Sequence, residues 1–362
     1  MDVTCSMPPE VTVVCVTYNH AKYIMQAMES FLSQETNFPF QVFVADDCST
    51  DGTREIVSRC EREHPDVVRA FLPETRRGAE CNLIEMCSKA GTEFIAICDG
   101  DDYWTDSRKL QKQRDYMRAH SAMRACFHDT EIKVEGDPWF LAKDYANTPD
   151  GKLLWCAGHK RFRKQEGYSI ADYVPCGFVH SSSMFIRWDY DLEIPDWFYS
   201  HILGDYTLWC LQVGLGEFGY IDEVMSVYRR HTNANYYFRS REEFWGATKP
   251  DWICIDGDLR LYFEELGASQ ELLAVFDERL KDDLGKLLKY AYRSGDPALR
   301  DEILARYSKT IERCTGLSCY GVDDGISPSR VKEIGLFFQC ERPSFIRRKT
   351  RRLIQIIGGK HS

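Results

Sequence analysis

Over its first hundred residues the chain alternates short apolar runs with segments of helical spacing, and few folds accept that alternation. Val11–Thr17 (VTVVCVT), Gln41–Ala45 (QVFVA), Val67–Leu72 and Phe94–Cys98 (FIAIC) are β-branched or continuously apolar runs of strand length. Between them, Tyr23–Gln34 carries Ile24, Ala27, Met28, Phe31 and Leu32 at helical steps. Arg54–Glu63 follows the capping-rich CSTDGT, and Gly78–Ala90 is a third helical segment, stopped by Gly91. Runs without polar alternation belong to strands covered on both faces. The pattern therefore predicts an α/β domain with a mostly parallel, doubly wound sheet. Beyond it, Trp104–His120 reads as a solvated, charged helix, Ala125–Val134 and Tyr220–Tyr228 as strands, and Pro175–Trp188 as small and hydroxyl residues entering an apolar strand.

Parallel strands share a carboxyl edge, where open α/β sheets bind ligands. The first run delivers Thr17, Tyr18 and Asn19 to that edge, the second Asp46 and Asp47, and the fourth Asp99, Asp101 and Asp102 within CDGDDYW. Carboxylates this close raise one another's pKa unless a cation compensates them. An oxygen-rich, sulfur-free set suits Mg²⁺ or Mn²⁺ bridging to substrate phosphates. Taken singly, the D-x-D can be a solvated acidic turn and Asp46-Asp47 a helix-entry cap. Three polar sets converging on one edge favour a nucleotide lying along it.

Composition narrows the partners. Asp and Glu outnumber Lys and Arg by 56 to 46, a net charge of −10, which argues against nucleic acid. The 15 cysteines include no C-x-x-C pair, so neither a zinc site nor a disulfide framework is expected, and reduced thiols fit a cytoplasmic setting. The N-terminal MDVTCSMPPEV lacks a signal-peptide pattern, and no stretch approaches the roughly 18 apolar residues of a membrane span. A cytoplasmic protein, free or at the cytoplasmic face of the membrane, is the expectation.

VTVVCVTYNHAKYI, VADDCSTDGTREI and IAICDGDDYW, in this order and spacing, resemble the nucleotide-binding half of a family 2 glycosyltransferase with the GT-A fold. RRGAECNLIEMCSKAGTEFI resembles the family's helix before the metal strand, where an Asn such as Asn82 is usual. The resemblance covers roughly residues 10–235. It implies an inverting enzyme of the bacterial surface-polysaccharide type. Such an enzyme moves a sugar from a nucleoside diphosphate sugar, most often a UDP-sugar, to a hydroxyl of a glycan or lipid-linked acceptor. By the same resemblance Asp46 and Asp47 hold base and ribose, Asp99 and Asp101 lie near ribose and metal, and Asp102 is the leading metal ligand, the choice among the three remaining open.

His201–Val213 (HILGDYTLWCLQV) is a buried helix with Gly204-Asp205 in its first turn, where an Asp is ordinarily a cap. The resemblance makes Asp205 the general base. Gly214–Gly219 matches G-x-G-x-x-G, but a helix precedes it and a strand follows, the reverse of a dinucleotide fingerprint, so these glycines read as a helix stop. Tyr228–Asn233 (YRRHTN) resembles the family's segment closing over the diphosphate, which gives Arg229 a phosphate role and His231 a metal or phosphate role. His180, Ser181 and Ser182 are acceptor-side candidates by the same resemblance. The basic, aromatic stretch within Gly136–Asp172 is either an acceptor or membrane contact or a solvated loop.

Residues 1–239 are thus read as the catalytic domain, 240–340 as a helical appendage suited to dimerisation or docking, and 341–362 as a basic amphipathic helix. Two other classes compete: a nucleotidyltransferase, for which TYNHAKY lacks the Gly-rich basic loop, and a nucleotide-sugar-binding or scaffold protein without catalysis. In Ser344–Ile357 (SFIRRKTRRLIQII), Ile346, Leu353, Ile354 and Ile357 share a face ringed by five basic residues, the pattern of a helix lying on anionic lipid or docked in an oligomer. Deleting residues 343–362 is expected to release the protein from membrane fractions; unchanged partition on fractionation refutes the anchor.

Overall fold

The computed structural model describes residues 7–135, 151–200, 204–231, 241–294, 296–316, 331 and 333–334. The first run reads β1 (Val11–Thr17), α1 (Ile24–Leu32), β2 (Phe40–Asp46), α2 (Thr53–Glu63), β3 (Val68–Phe71), α3 (Ala79–Lys89) and β4 (Phe94–Ile97). Then come β5 (Tyr103–Trp104), α4 (Lys109–Ala119), β6 (Ala125–Val134), α5 (Ile170–Tyr173), β7 (Phe185–Arg187), α6 (Gly204–Val213) and β8 (Phe218–Arg230). Every residue of β1 and β4 is buried, which is why neither alternates polar with apolar side chains. Helix α1 buries Ile24, Ala27, Met28 and Phe31, the face its spacing predicts.

The strands form one sheet in the order β3-β2-β1-β4-β7-β6-β8-β5. β3, β2, β1 and β4 are parallel, as is the β6–β8 pair. β7 runs antiparallel to both β4 and β6, and β5 antiparallel to β8. The parallel winding expected from the sequence thus builds one half, and a mixed half completes the sheet. The β6–β8 register slips on either side of Asp129. At this bulge the Asp129 carboxylate accepts the backbone N–H of Thr130, Cys156 and Ala157 at 2.8, 2.8 and 2.9 Å, which ties the 151–157 segment to the sheet.

Two expectations change, both for the helix after β5. The helix read over Trp104–His120 begins only at Lys109, because Tyr103 and Trp104 pair with β8. Nor is that helix solvated all round: Lys109, Leu110, Gln111, Gln113 and Met117 are buried. Over Pro175–Trp188 only Phe185–Arg187 is strand, preceded by a 3₁₀ turn at Ser181–Ser183. The Gly214–Gly219 stretch is a helix stop: Gly214 takes φ 55° and β8 begins at Phe218.

The chain divides into two compact units, Met1–Ser240 and Arg241–Ser362. The second contains α7 (Arg241–Glu265), α8 (Gln270–Ser294), α9 (Pro297–Arg306) and α10 (Ser308–Thr315). Leu280, Leu284, Leu287, Leu288 and Ala291 of α8 pack with Ile303, Leu304 and Ile311 in its core. The basic segment 341–362 lies outside the described residues, and among those described no helix is long and apolar enough to cross a membrane.

Lys109 is fully buried, donates to Gln113 Oε1 at 2.6 Å and lies 4.0 Å over the Trp104 ring. Burial pushes its ammonium pKa down to about 7 from an ordinary 10.5. Between those values the unfolded chain binds a proton that the folded chain does not, so this group makes stability rise with pH. Relative to Lys109→Met, the wild type is expected to gain about 2 kcal/mol between pH 7 and pH 9 in urea unfolding; parallel pH profiles for the two proteins refute it.

Candidate active site

Three parallel strands end side by side. Thr17 of β1 is in register with Asp46 of β2, the Asp47 N–H bonds the Thr17 carbonyl at 2.9 Å, and the Gly100 N–H bonds the Val16 carbonyl at 2.9 Å. Position 100 must be glycine on packing grounds, since a Cβ there would sit 2.6 Å from Thr17 Oγ1 and 2.7 Å from Thr17 Cβ. The turn after β1 is laced to the turn after β2. The Asn19 N–H donates to Ser49 Oγ at 2.7 Å, and Asn19 Oδ1 accepts the Thr50 N–H at 2.9 Å. Asn19 adopts φ 55°, a left-handed conformation that Asn tolerates. Tyr18 lies beneath the Arg76 guanidinium, 3.8 Å from its ring centre.

The two aspartates after β2 differ. Asp47 is saturated: it accepts the N–H of Arg77 (2.8 Å) and Gly78 (3.1 Å), Asn82 Nδ2 (2.9 Å) and Arg76 Nε (3.1 Å). It therefore anchors the entry to α3, and Asn82 serves that anchor. Asp46 is fully buried; its Oδ2 accepts the Ser49 N–H at 2.9 Å and faces Arg54 at 3.4 Å, while Oδ1 has no partner.

The three aspartates after β4 are held by three different sets of groups. Asp99 Oδ2 accepts from Ser181 Oγ at 2.8 Å. Burial, then the charge of Asp101, push Asp99 up to about 7, with Asp205 and Glu80 adding to the shift. Asp102 is buried, and its Oδ1 accepts the Arg229 N–H at 2.8 Å while Oδ2 faces His180 Nε2 at 3.9 Å. Burial, then the charges of Asp101 and Asp99, lift its pKa well above the carboxylate range. Asp101 goes the other way. Burial opposes ionisation, but the hydrogen bond with His231 Nε2 at 3.1 Å and the charge of His20, whose Nε2 lies at 3.6 Å, hold it below the ordinary value. Arg229 reaches back to the same turn, donating to the Asp101 carbonyl at 2.5 Å and to Gln26.

Asp205 stands in the first turn of α6, where its Oδ1 accepts the Tyr206 N–H at 2.8 Å. Burial raises its pKa, although that amide and its own oppose the rise. Its charge is felt by Asp99 and by Glu80 of α3, so Asp205 belongs to the same acidic rim. His180, Ser181 and Ser182 are buried behind this rim as supports for Asp99 and Asp102. His20, Arg76 and Glu80 were not singled out by sequence reasoning. His20 carried a signal, three residues beyond Thr17 in the same turn, and its Nδ1 indeed meets Thr17 Oγ1 at 3.2 Å.

A divalent cation bound by few protein ligands fits this chemistry. No group of three His, Cys, Asp or Glu side chains among the described residues is arranged as a metal cage. Asp101 Oδ2 and His231 Nε2 offer one oxygen and one nitrogen at the rim, and the other ring nitrogen of His231 is buried without a partner. Mg²⁺ characteristically takes one or two protein ligands and completes its shell from phosphate and water, and imidazole with carboxylate also suits Mn²⁺.

Known proteins resemble this chain in sequence and in fold. Residues 12–188 match the model of glycosyl transferase family 2. An uncharacterized protein of Mycobacterium tuberculosis is 33% identical over 244 residues, spanning 65% of this chain and 63% of that relative's own length. A Bacillus subtilis protein, TuaG, named as a teichuronic acid biosynthesis glycosyltransferase, is 33% identical over 113 residues, 31% of this chain and 44% of that protein. In fold, the crystal structure of S. aureus TarS 1–349 in complex with UDP-GlcNAc superposes with a TM-score of 0.56 at 18% identity, covering 92% of this chain and 90% of that one. The architecture is that of the GT-A glycosyltransferases.

Asp47→Ala tests the anchoring described above. It removes the acceptor of the part-buried Arg77 and Gly78 backbone amides and of the buried Asn82 amide, and a loss of about 1 to 3 kcal/mol in ligand-free unfolding is expected; a variant as stable as the wild type refutes the anchor.

Proposed function

From the match of residues 12–188 to the glycosyl transferase family 2 model we propose that the chain is an inverting glycosyltransferase. The donor is a nucleoside diphosphate sugar, UDP-sugar being the first candidate, and the acceptor a hydroxyl of a glycan or lipid-linked glycan. One observation carries the reading: Asp46, Asp99, Asp101 and Asp205, from three separate segments, share one rim at the carboxyl end of the sheet. The domain match and the fold likeness support it.

In this reading Thr17, Tyr18, Asn19 and Asp46 border the nucleotide, with the unpartnered Asp46 Oδ1 left to accept a donor from it. Asp47 and Asn82 act one layer back by shaping the entry to α3. Asp101 and His231 would hold a divalent cation, Mn²⁺ or Mg²⁺. Asp102, the leading ligand on sequence grounds, fixes the Arg229 backbone through its Oδ1 and would offer the ion its Oδ2, which has only His180 Nε2 at 3.9 Å beside it. The cation, when bound, neutralises charge growing on the diphosphate leaving group as a Lewis acid. Arg229, a five-donor guanidinium with two donors committed to Asp101 and Gln26, adds positive charge there.

Asp205 takes the acceptor proton. As the acceptor oxygen bonds the anomeric carbon, the carbon–oxygen bond to the diphosphate breaks and the proton passes to the Asp205 carboxylate. One displacement inverts the anomeric centre, and no protein nucleophile is required. A pKa raised by burial makes Asp205 a stronger base than a solvated aspartate. Because only its ionised form accepts the proton, activity falls as pH drops through that raised value.

A thermal-shift screen of UDP, GDP, CDP and dTDP with and without Mn²⁺ tests the reading: one nucleotide should raise the melting temperature, and more so with the ion. No shift with any of them refutes it. Asp205→Asn should cut turnover about 10²- to 10⁴-fold while keeping the nucleotide-induced shift; normal turnover by that variant removes Asp205 from the role of base.

A further inference from the structure

Glu80 has no part in the roles above, yet it lies among the groups that have them. It stands in the first turn of α3, half-buried, facing the first turn of α6. The two turns are in close contact. A Cβ built on Gly204 would come 2.9 Å from Glu80 Cγ, 3.5 Å from its Cβ and 3.6 Å from its Cα, so glycine at 204 leaves room for the Glu80 stem beside Asp205. After burial, the charges of Asp205 and Asp47 both raise the Glu80 pKa, and Glu80 in turn acts on Asp99. Glu80 thus sits between the nucleotide end of the rim and the base. Among the described residues its carboxylate has no hydrogen bond or ion pair beyond its own backbone N–H.

The Glu80 carboxylate is partly exposed and is not among the enclosed unpartnered atoms, so it is open to take donors from a ligand that displaces solvent there. In a transferase cleft the group between diphosphate and base is the sugar in transit, whose ring hydroxyls are donors. We propose that Glu80 is a specificity-determining residue that accepts hydrogen bonds from hydroxyls of the transferred sugar, a role that rests on the transfer reading above. The nucleotide is recognised elsewhere, so Glu80 distinguishes sugars without contributing to the affinity for the bare diphosphate.

The test is calorimetric titration, with Mn²⁺, of the nucleoside diphosphate that gives the largest thermal shift and of its glucose, galactose and N-acetylglucosamine conjugates. Wild type should bind at least one conjugate more tightly than the diphosphate. Glu80→Gln and Glu80→Ala should lose that advantage about tenfold or more, the effect of one hydrogen bond to a charged group, and bind the bare diphosphate within about twofold of wild type. Glu80→Asp, shorter but still charged, should retain part of it, and melting curves establish that each variant is folded. The proposal is overturned if wild type shows no sugar advantage, if Glu80→Ala keeps it, or if both ligands weaken equally. An effect confined to the KM of the acceptor overturns it too. Normal turnover by Asp205→Asn strikes the base assignment alone, whereas a wild type that binds none of the nucleotides overturns the transfer reading and this inference with it.

Discussion

The Asp101 carboxylate, set between the imidazoles of His231 and His20, is the interaction on which the rest of the rim depends. Three aspartates in a four-residue turn cannot all ionise cheaply in a half-buried setting. The fold separates them by giving each a different neighbour. Asp101 has two imidazoles and stays ionised, while Asp99 has a serine hydroxyl and Asp102 one backbone amide, and both resist ionisation. A turn that would otherwise be uniformly repulsive thereby becomes one anionic group flanked by two carboxyls able to hold protons. Both imidazoles come from outside the turn, so the arrangement exists only once the sheet is assembled.

The second layer explains how the assembly is kept. Ser182 Oγ meets His180 Nδ1 at 2.9 Å and Ser226 Oγ at 2.9 Å, and Ser226 Oγ meets Thr130 Oγ1 at 2.8 Å. This buried chain of hydroxyls runs from β6 through β8 to the imidazole beside Asp102. Fully satisfied polar chains in a low-dielectric interior are strong and directional. They tie β6 and β8 to the turn before β7, within the mixed half of the sheet, at the place where the acidic turn sits. Burial, meanwhile, pushes His180 down to about 3, so it supports Asp102 as a neutral ring rather than as a counter-charge.

Much of this was legible in the residues. β1, β2 and β4 announced themselves by continuous apolar runs, and parallel pairing then required Thr17, Asp46 and Asp99–Asp102 to share an edge. What the residues withheld was the direction each side chain takes. Asp46 and Asp47 are adjacent and chemically identical, yet one is saturated by the entry to α3 and the other keeps a bare oxygen. That difference is made by Arg77 and Gly78, some thirty residues away, and no local pattern encodes it. Glu80 was hidden for a similar reason: an acid in the first turn of a helix is favoured by the helix dipole whether or not a ligand ever meets it. Lys109 misled because charge in sequence predicts exposure, whereas Trp104 and Gln113 accommodate its ammonium inside.

The rim also departs from the rule that buried polar atoms are paired, and the departures bear on its chemistry. Asp46 Oδ1 and His231 Nδ1 are buried without partners, one at the end of β2 and the other just after β8. Each such atom costs roughly 1–3 kcal/mol of folding free energy, which the paired network around it must offset. An ordinary core would replace them with apolar groups at little loss. Their survival on the edge that also carries Asp101 and Asp205 fits a surface whose hydrogen bonding is completed by what binds there.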